Sequence, residues 1–460
     1  MKKISCSLIA LLATATVAFA TTTPIDQLTF STNSNNEIVI TGGDFNITDL
    51  NIPSQINGLD VTTIGEYAFT DPGFGNEIII SITLPDSVHT IEQFAFFGCL
   101  NLTSITLSNN LQTIDLLAFA TCISLESITL PDSLQTLGDS AFQNCSSLKS
   151  ITLPASLQTL GVGAFSVCTS LTNLTIAADN PNYKSINNVL FNKSGTELIQ
   201  YAPGLPATSY TVPSNVQTIG ASAFSQDTHL ISITLPDSVK TIEYQAFFDC
   251  KALESITLSD NLQTIGSSAF SGCSSLESIT LPNNLQTIAA SAFRGCYSLG
   301  SITLPNNLQT IGDDAINNCT ALESITLPAS VTSIGNRVFS YCSNLASITF
   351  LGDTPTVGST IFRGVASSAK VYVLPAATGF GTTFEGLPVE TFTLPPSIHA
   401  IAHHNDNLLI TLNEGTSGIT VEETADLTAD NWITNHNPTV TNGAFQLPTT
   451  HTQRYFRFSN

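Results

Sequence analysis

A strict 23-residue period constrains this chain more than any other feature. Phe96, Phe119, Phe142 and Phe165 stand 23 residues apart, as do Phe224, Phe247, Phe270, Phe293, Ile316, Phe339 and Phe362. Phe69 opens the series one step early, with four extra residues around Asp71-Pro72-Gly73-Phe74. A unit this short cannot bury its own apolar face, so each copy must stack on its neighbours. The expectation is a solenoid of like coils, bounded by segments that cap its ends.

The copy from Cys122 to Asn144, CISLESITLPDSLQTLGDSAFQN, shows how one coil is built. Leu125, Ile128 and Leu130 have the spacing of inward side chains on a strand, with Ser127 and Thr129 alternating outward. Pro131 ends the strand because it cannot donate to a parallel ladder. Leu134 and Leu137 form a second inward pair around Gln135 and Thr136. Gly138 is expected to supply a positive-φ turn, and Ala141 with Phe142 to fill the remaining wedge.

Nine cysteines, Cys99, Cys122, Cys145, Cys168, Cys250, Cys273, Cys296, Cys319 and Cys342, share one phase of the repeat. Disulfides or a metal are the chemical alternatives to packing. An odd number cannot all pair, and no histidine or second cysteine shares the unit to complete a metal site. Buried thiols acting as small apolar wedges are the expected arrangement.

The phrase SLESITLPDSLQTLGDSAFQNC resembles the leucine-rich repeats of the BspA-like, or Treponema pallidum-type, surface proteins. Leu50 to Phe69 resembles the opening of such arrays, and Asn182 to Pro203 the longer variant unit they often insert; the resemblance spans about Gln27 to Glu390. It implies an exported, non-catalytic surface protein, some relatives of which act in adhesion to host matrix proteins or in coaggregation. The fold class is therefore mainly β, a leucine-rich repeat solenoid of 23-residue coils with a small all-β C-terminal module.

Residues 1–20 read as a signal peptide: Lys2 and Lys3, an apolar run from Ile4 to Val17, then Ala18-Phe19-Ala20. Residues 21–60 are expected to form an N-terminal cap. The solenoid is expected over 61–390, with the variant unit at about 173–210, and the cysteine phase is lost at Asp227. A small β module is expected over 391–460, from strand-like runs at His399 to His403, Leu408 to Leu412, Gly418 to Glu422 and Tyr455 to Phe458. Its phrases VEETADLTADNWI and QRYFRFSN resemble a tail of large exported proteins of the Verrucomicrobia and Planctomycetes.

The chain carries 35 acidic against 13 basic residues, a formal net charge of −22. Such a balance makes nucleic acid and anionic membrane surfaces poor partners, and no run after the leader is long and apolar enough for membrane insertion. Catalysis needs unlike residues converging, whereas a repeat delivers like residues in rows; no enzyme activity, cofactor or metal is expected. His399, His403 and His404 invite a zinc reading but lack a fourth ligand of suitable spacing. Glu254 and Glu277 would be neighbours on adjacent coils, too few oxygens for a firm Ca²⁺ site.

The candidate partner-binding face comprises the outward strand positions Glu126, Ser127, Thr129, Lys149, Ser150, Thr152, Glu254, Ser255, Thr257, Glu277, Ser278, Thr280, Glu323, Ser324 and Thr326. Their uniformity argues for a multivalent adhesin or scaffold on an extracellular protein or polysaccharide, engaged by avidity. The alternatives are a structural spacer presenting the C-terminal module and an ice-binding surface. The protein is expected to be secreted or held at the cell surface.

Overall fold

The computed structural model describes residues 22–44, 46–70 and 76–392 in full. Beyond them it describes the backbone of six strands between Ile398 and Ser459. The leader at 1–20 lies outside the described residues, as do the loops of the C-terminal segment and the side chains of its histidines. The chain divides into two compact units, one of residues 1–348 with 355–369 and one of 349–354 with 370–460.

In the first unit a typical coil contributes two short strands. The first strands carry the Ser-Ile-Thr triplet and pair in parallel with the same triplet one coil on, as in Ser81↔Ser104, Ser232↔Ser255 and Ser278↔Ser301. The second strands pair through Thr113↔Thr136↔Thr159, Thr218↔Thr241↔Thr264 and Thr287↔Thr310↔Ser333↔Thr356. A parallel ladder keeps identical phases in contact, so a 23-residue period converts each sequence position into a column.

The interior columns match the inward pattern. Leu125, Leu134, Leu137, Ala141 and Phe142 are fully buried, and so are their equivalents in the coil of Phe270. Rings stack from coil to coil at 5.2–6.0 Å from Phe96 to Phe165 and at 5.0–5.4 Å from Phe224 to Phe293. These separations suit offset aromatic stacking and sit close to the spacing of adjacent strands.

All nine cysteines of the repeat are free and buried. Their role exceeds that of an apolar wedge: each thiol donates to the carbonyl of the phenylalanine phase one coil earlier, 26 residues back except for Cys99, whose partner Phe69 lies 30 back. Cys168 Sγ lies 3.1 Å from Phe142 O, Cys250 Sγ 3.0 Å from Phe224 O and Cys342 Sγ 3.1 Å from Ile316 O. Such a carbonyl has two lone pairs: Phe142 O also accepts the Cys145 N–H at 3.2 Å and Phe224 O the Asp227 N–H at 3.1 Å, and the thiol is a second donor. Burial pushes the Cys168 and Cys296 thiols up to about 12.

Gly138 does not supply the positive-φ turn expected of it. A Cβ there would stand 2.5 Å from Asp115 C and Leu116 N, so close approach of the preceding coil favours glycine. Glu92, Asp115, Glu243 and Ala289 hold the same phase in other coils, so the approach is not equally tight throughout. The left-handed residues are instead those two before and two after the phenylalanine: Phe94 and Gly98, Ser140 and Asn144, Ser268 and Gly272. Their conformation aims alternate amides along the stack. Phe94, Phe96 and Gly98 donate to Leu116, Ala118 and Ala120 of the next coil at 2.8–3.0 Å. The same triple recurs at Ser140, Phe142 and Asn144 and at Ser268, Phe270 and Gly272.

The expected strand around Ser127 is reduced to a single bridge, Ser127↔Ser150. The first-strand ladder is interrupted after Ser104–Thr106, after Ser255–Thr257 and after Ser301–Thr303. In the first two cases serine replaces the strand-ending proline. Ser108 Oγ and Ser259 Oγ each accept the N–H of Asn110 or Asn261 at 3.1 Å, closing a local turn that competes with the ladder.

At the start of the unit, Leu28–Thr32 and Ile38–Gly43 pair antiparallel, and the latter joins Leu59–Ile64 in parallel. The variant unit resolves the irregular step between Phe165 and Phe224. Tyr201 occupies the phenylalanine phase 36 residues after Phe165, stacking on Phe224 at 5.2 Å and donating its N–H to Ala223 O at 2.8 Å. The extra residues form a hairpin of Tyr183–Ile186 and Val189–Asn192, which pairs antiparallel with Glu197–Tyr201.

In the second unit Phe350, Phe380 and Phe384 cluster at 5.1–5.4 Å. Lys370–Val373 pairs in parallel with Leu387–Thr391. Six later strands make two antiparallel sheets. In one, Asn407–Leu412 lies between Ile398–His404 and Ala444–Pro448; in the other, Thr420–Thr424 lies between Ile433–His436 and Tyr455–Ser459.

Candidate partner-binding face

The outward positions of the first strands form the candidate face because strand alternation commits Ile128, Ile151, Ile256, Ile279 and Ile325 to the core. Glu126, Ser127, Thr129, Lys149 and Thr152 are exposed, and Ser150 is partly exposed. Glu254, Ser255, Thr257, Glu277, Ser278, Thr280, Glu323, Ser324 and Thr326 are exposed as well.

The ladder brings these residues together in groups. Lys149 Nζ reaches Glu126 Oε2 at 2.7 Å on the adjacent coil. The hydrogen bond and charge of Lys149 lower the Glu126 carboxyl below its ordinary value. Both groups are well exposed, so the pair arranges charge without adding much stability. Thr152 Oγ1 lies 3.0 Å from Thr175 Oγ1, extending the hydroxyl row beyond the predicted set. Glu277 N donates to Glu254 O at 3.2 Å, so these two exposed glutamates occupy neighbouring coils. Glu323, Ser324 and Thr326 follow the interruption after Ser301–Thr303 and are not laddered to the group before them. The face is thus a series of short, similar patches.

Two features were less legible. The second strands present another outward row, Gln112, Gln135, Gln158, Gln217, Gln263, Gln286 and Gln309, all exposed and each beside a laddered Thr. The sequence signalled this row through Gln135 and Thr136, yet offered no reason to rank it above the first.

The other feature is the junction around the variant unit. Asp227 takes the cysteine phase there and is 1% exposed. Its Oδ1 accepts the N–H of His229 at 2.9 Å and of Leu230 at 2.7 Å, while Oδ2 has no partner. Burial raises its carboxyl above the ordinary value, against a smaller lowering by those amides. A carboxylate cannot replace the thiol as donor to Tyr201 O. Gln200 Nε2 does so at 2.9 Å. Glu197 is raised by burial and by the charge of Glu243. Among the described residues no group of three or more His, Cys, Asp or Glu is placed to hold a metal ion, and no helix is long and apolar enough to cross a membrane.

A family model described as BspA type leucine rich repeat region (6 copies) matches residues 62–197, 204–321 and 286–405. A leucine-rich repeat protein from Eubacterium ventriosum is 24% identical over 78% of this chain and 97% of its own, with a TM-score of 0.58. The pneumococcal vaccine antigen PcpA is 24% identical over 76% of this chain and 92% of its own, with a TM-score of 0.51. A leucine rich cell surface protein from Faecalibacterium prausnitzii is 27% identical over 72% of this chain and 95% of its own, with a TM-score of 0.48. No curated protein matches the chain significantly.

Proposed function

Because this chain belongs to the BspA-type leucine-rich repeat family, we propose that it is an exported, non-catalytic scaffold that engages an extended extracellular protein or polysaccharide. Rows of Ser and Thr held in register on adjacent coils carry this reading. Each hydroxyl offers one weak contact, and similar patches repeated along one molecule add by avidity when the partner is itself repetitive. Glu126 with Lys149, and the glutamates at 254, 277 and 323, give the patches different charge. The leader-like residues 1–20 support export to the surface or beyond.

Binding of the purified protein to immobilised matrix proteins and glycans tests the reading. Saturable binding to at least one of them is expected. It should weaken tenfold or more when Ser127→Arg, Ser255→Arg and Ser278→Arg are combined, with an unchanged melting profile. Binding indifferent to the three arginines, or no binding by the parent protein, would contradict it and favour a structural spacer.

A further inference from the structure

Among the described residues, the triple of axial amides is wholly lost at the coil of Phe165. Gly163, Phe165 and Val167 hold the phases of Ser140, Phe142 and Asn144, and Gly163 and Val167 are left-handed like their equivalents. Their N–H groups nevertheless have no acceptor among the described residues. The reason lies in the variant unit: Glu197–Tyr201, which should face this coil, pairs with the hairpin strand Val189–Asn192 instead. The ring stack stops at the same place, since among the described residues Phe165 has no aromatic neighbour on its far side while Tyr201 stacks on Phe224.

A cavity of about 170 Å³ opens at this break, and Gly163, Phe165, Tyr183, Glu197, Ile199 and Gln200 are among its lining residues. Ser166 adjoins it. The residue is 97% buried, its hydroxyl has no hydrogen-bond partner among the described residues, and a Cβ on Gly163 would stand 2.9 Å from that hydroxyl. Unpaired buried donors of this kind are rare and call for a partner. Left-handed turns that aim successive amides into one space form acceptor-binding concavities. Leu160 N, which would also lack an acceptor here, is met by the Tyr183 hydroxyl at 3.1 Å. The wall beside Leu160 is therefore satisfied from within, and that beside Gly163 and Phe165 is not.

The ligand must accept from these donors without being an anion, because Glu197 lines the cavity and Glu243 stands near enough to influence it. It must also tolerate apolar contact with Leu160, Ile199 and Phe165. A secondary amide meets these conditions. Its carbonyl accepts from the Gly163 amide, its N–H donates to Glu197, and its methyl packs on the apolar wall. The volume is comparable to the roughly 150 Å³ cavity that admits a benzene ring. We propose that this cavity recognises an acetamido group, and through it an N-acetylated sugar, at a position distinct from the Ser/Thr face.

Titration calorimetry of the whole protein with N,N′-diacetylchitobiose, with cellobiose as the sugar lacking acetamido groups, tests the proposal. Saturable binding of the first is expected, at least tenfold tighter than that of cellobiose. Ala221→Leu at the partly exposed edge of the cavity, and Glu197→Ala inside it, should each weaken it tenfold or more. The triple arginine variant of the strand face should bind the sugar as the parent does, so this proposal and that of the face fail separately. Should Ala221→Leu alter the melting profile, Glu197→Ala carries the test. No saturable binding up to millimolar sugar, equal binding of cellobiose, or indifference to Glu197→Ala would overturn the proposal and leave the cavity to water.

Discussion

The coils around Phe270 and the junction from Val167 to Asp227 are built from the same parts and solve the same problem differently. Around Phe270, the buried groups of the stack find partners one coil away: amide to carbonyl, thiol to carbonyl, ring to ring. At the junction the repeat is broken by a hairpin, and each orphaned group needs its own remedy. Gln200 replaces a cysteine as donor, the Tyr183 hydroxyl replaces a carbonyl as acceptor, and Ser166 Oγ and Asp227 Oδ2 find no hydrogen-bond partner among the described residues. Periodicity satisfies buried polar groups as a set, and where it lapses a site with individual chemistry becomes available.

The largest test of this contrast removes a ring from the regular stack. Phe270→Ala should destabilise the coils around it by about 3–5 kcal/mol, since the fully buried ring contacts like rings on both sides. Denaturant unfolding followed by tyrosine fluorescence would show the loss.

Next in size is the thiol ladder. Cys273→Ala removes a donor 3.1 Å from Phe247 O and a buried sulfur, which should cost about 1–2 kcal/mol by chemical denaturation. The native ladder should also resist alkylation by iodoacetamide at pH 8, because burial holds thiols such as Cys168 and Cys296 at about 12. Rapid native-state labelling of these cysteines would contradict the packing.

A smaller effect of opposite sign is expected at the junction. Asn76, a coil's length before Cys99, holds the Ile78 and Ile79 amides through its Oδ1 much as Asp227 holds those of His229 and Leu230. Asp227→Asn should keep these bonds and remove a poorly partnered charge, stabilising the protein by about 1 kcal/mol at neutral pH. The Asp227 carboxyl is raised in the folded protein, so the folded state holds its proton more tightly than the unfolded chain. Parent stability should therefore be fullest below the ordinary value of 3.8 and decline as pH rises through the folded value. The gain from Asp227→Asn should appear over that interval and vanish in acid. A constant gain across pH would assign the effect to something other than the charge.

The smallest expected effect is on the exposed face. Glu126→Gln should leave the melting profile unchanged, since its ion pair with Lys149 is open to solvent, while altering the charge of that patch.

Where the period holds, the sequence is a close guide. The inward columns, the outward Ser/Thr rows and the buried free thiols all follow from alternation and phase. Leu125, Ser127 and Cys122 needed no tertiary information. Tyr201 escaped notice because the inserted hairpin hides its phase, although it substitutes for phenylalanine in the stack. The roles of Gly138 and of the left-handed residues beside Phe142 were exchanged, because only the approach of a neighbouring coil shows which position lacks room for a Cβ. The unpaired amides at Gly163 and Phe165 depend on a strand pairing formed some thirty residues later, which no local pattern reports.

Hydrogen exchange at the phenylalanine-phase amides measures the contrast most directly. The Phe142 and Phe270 amides donate to Ala164 and Ala292 at 2.9 and 2.8 Å and should exchange slowly, as ladder groups do. The Phe165 amide, at the same phase but without an acceptor among the described residues, should exchange at least a hundredfold faster in the free protein. Equal protection at all three would mean that the stack continues unbroken through the variant unit and that the cavity does not exist in solution.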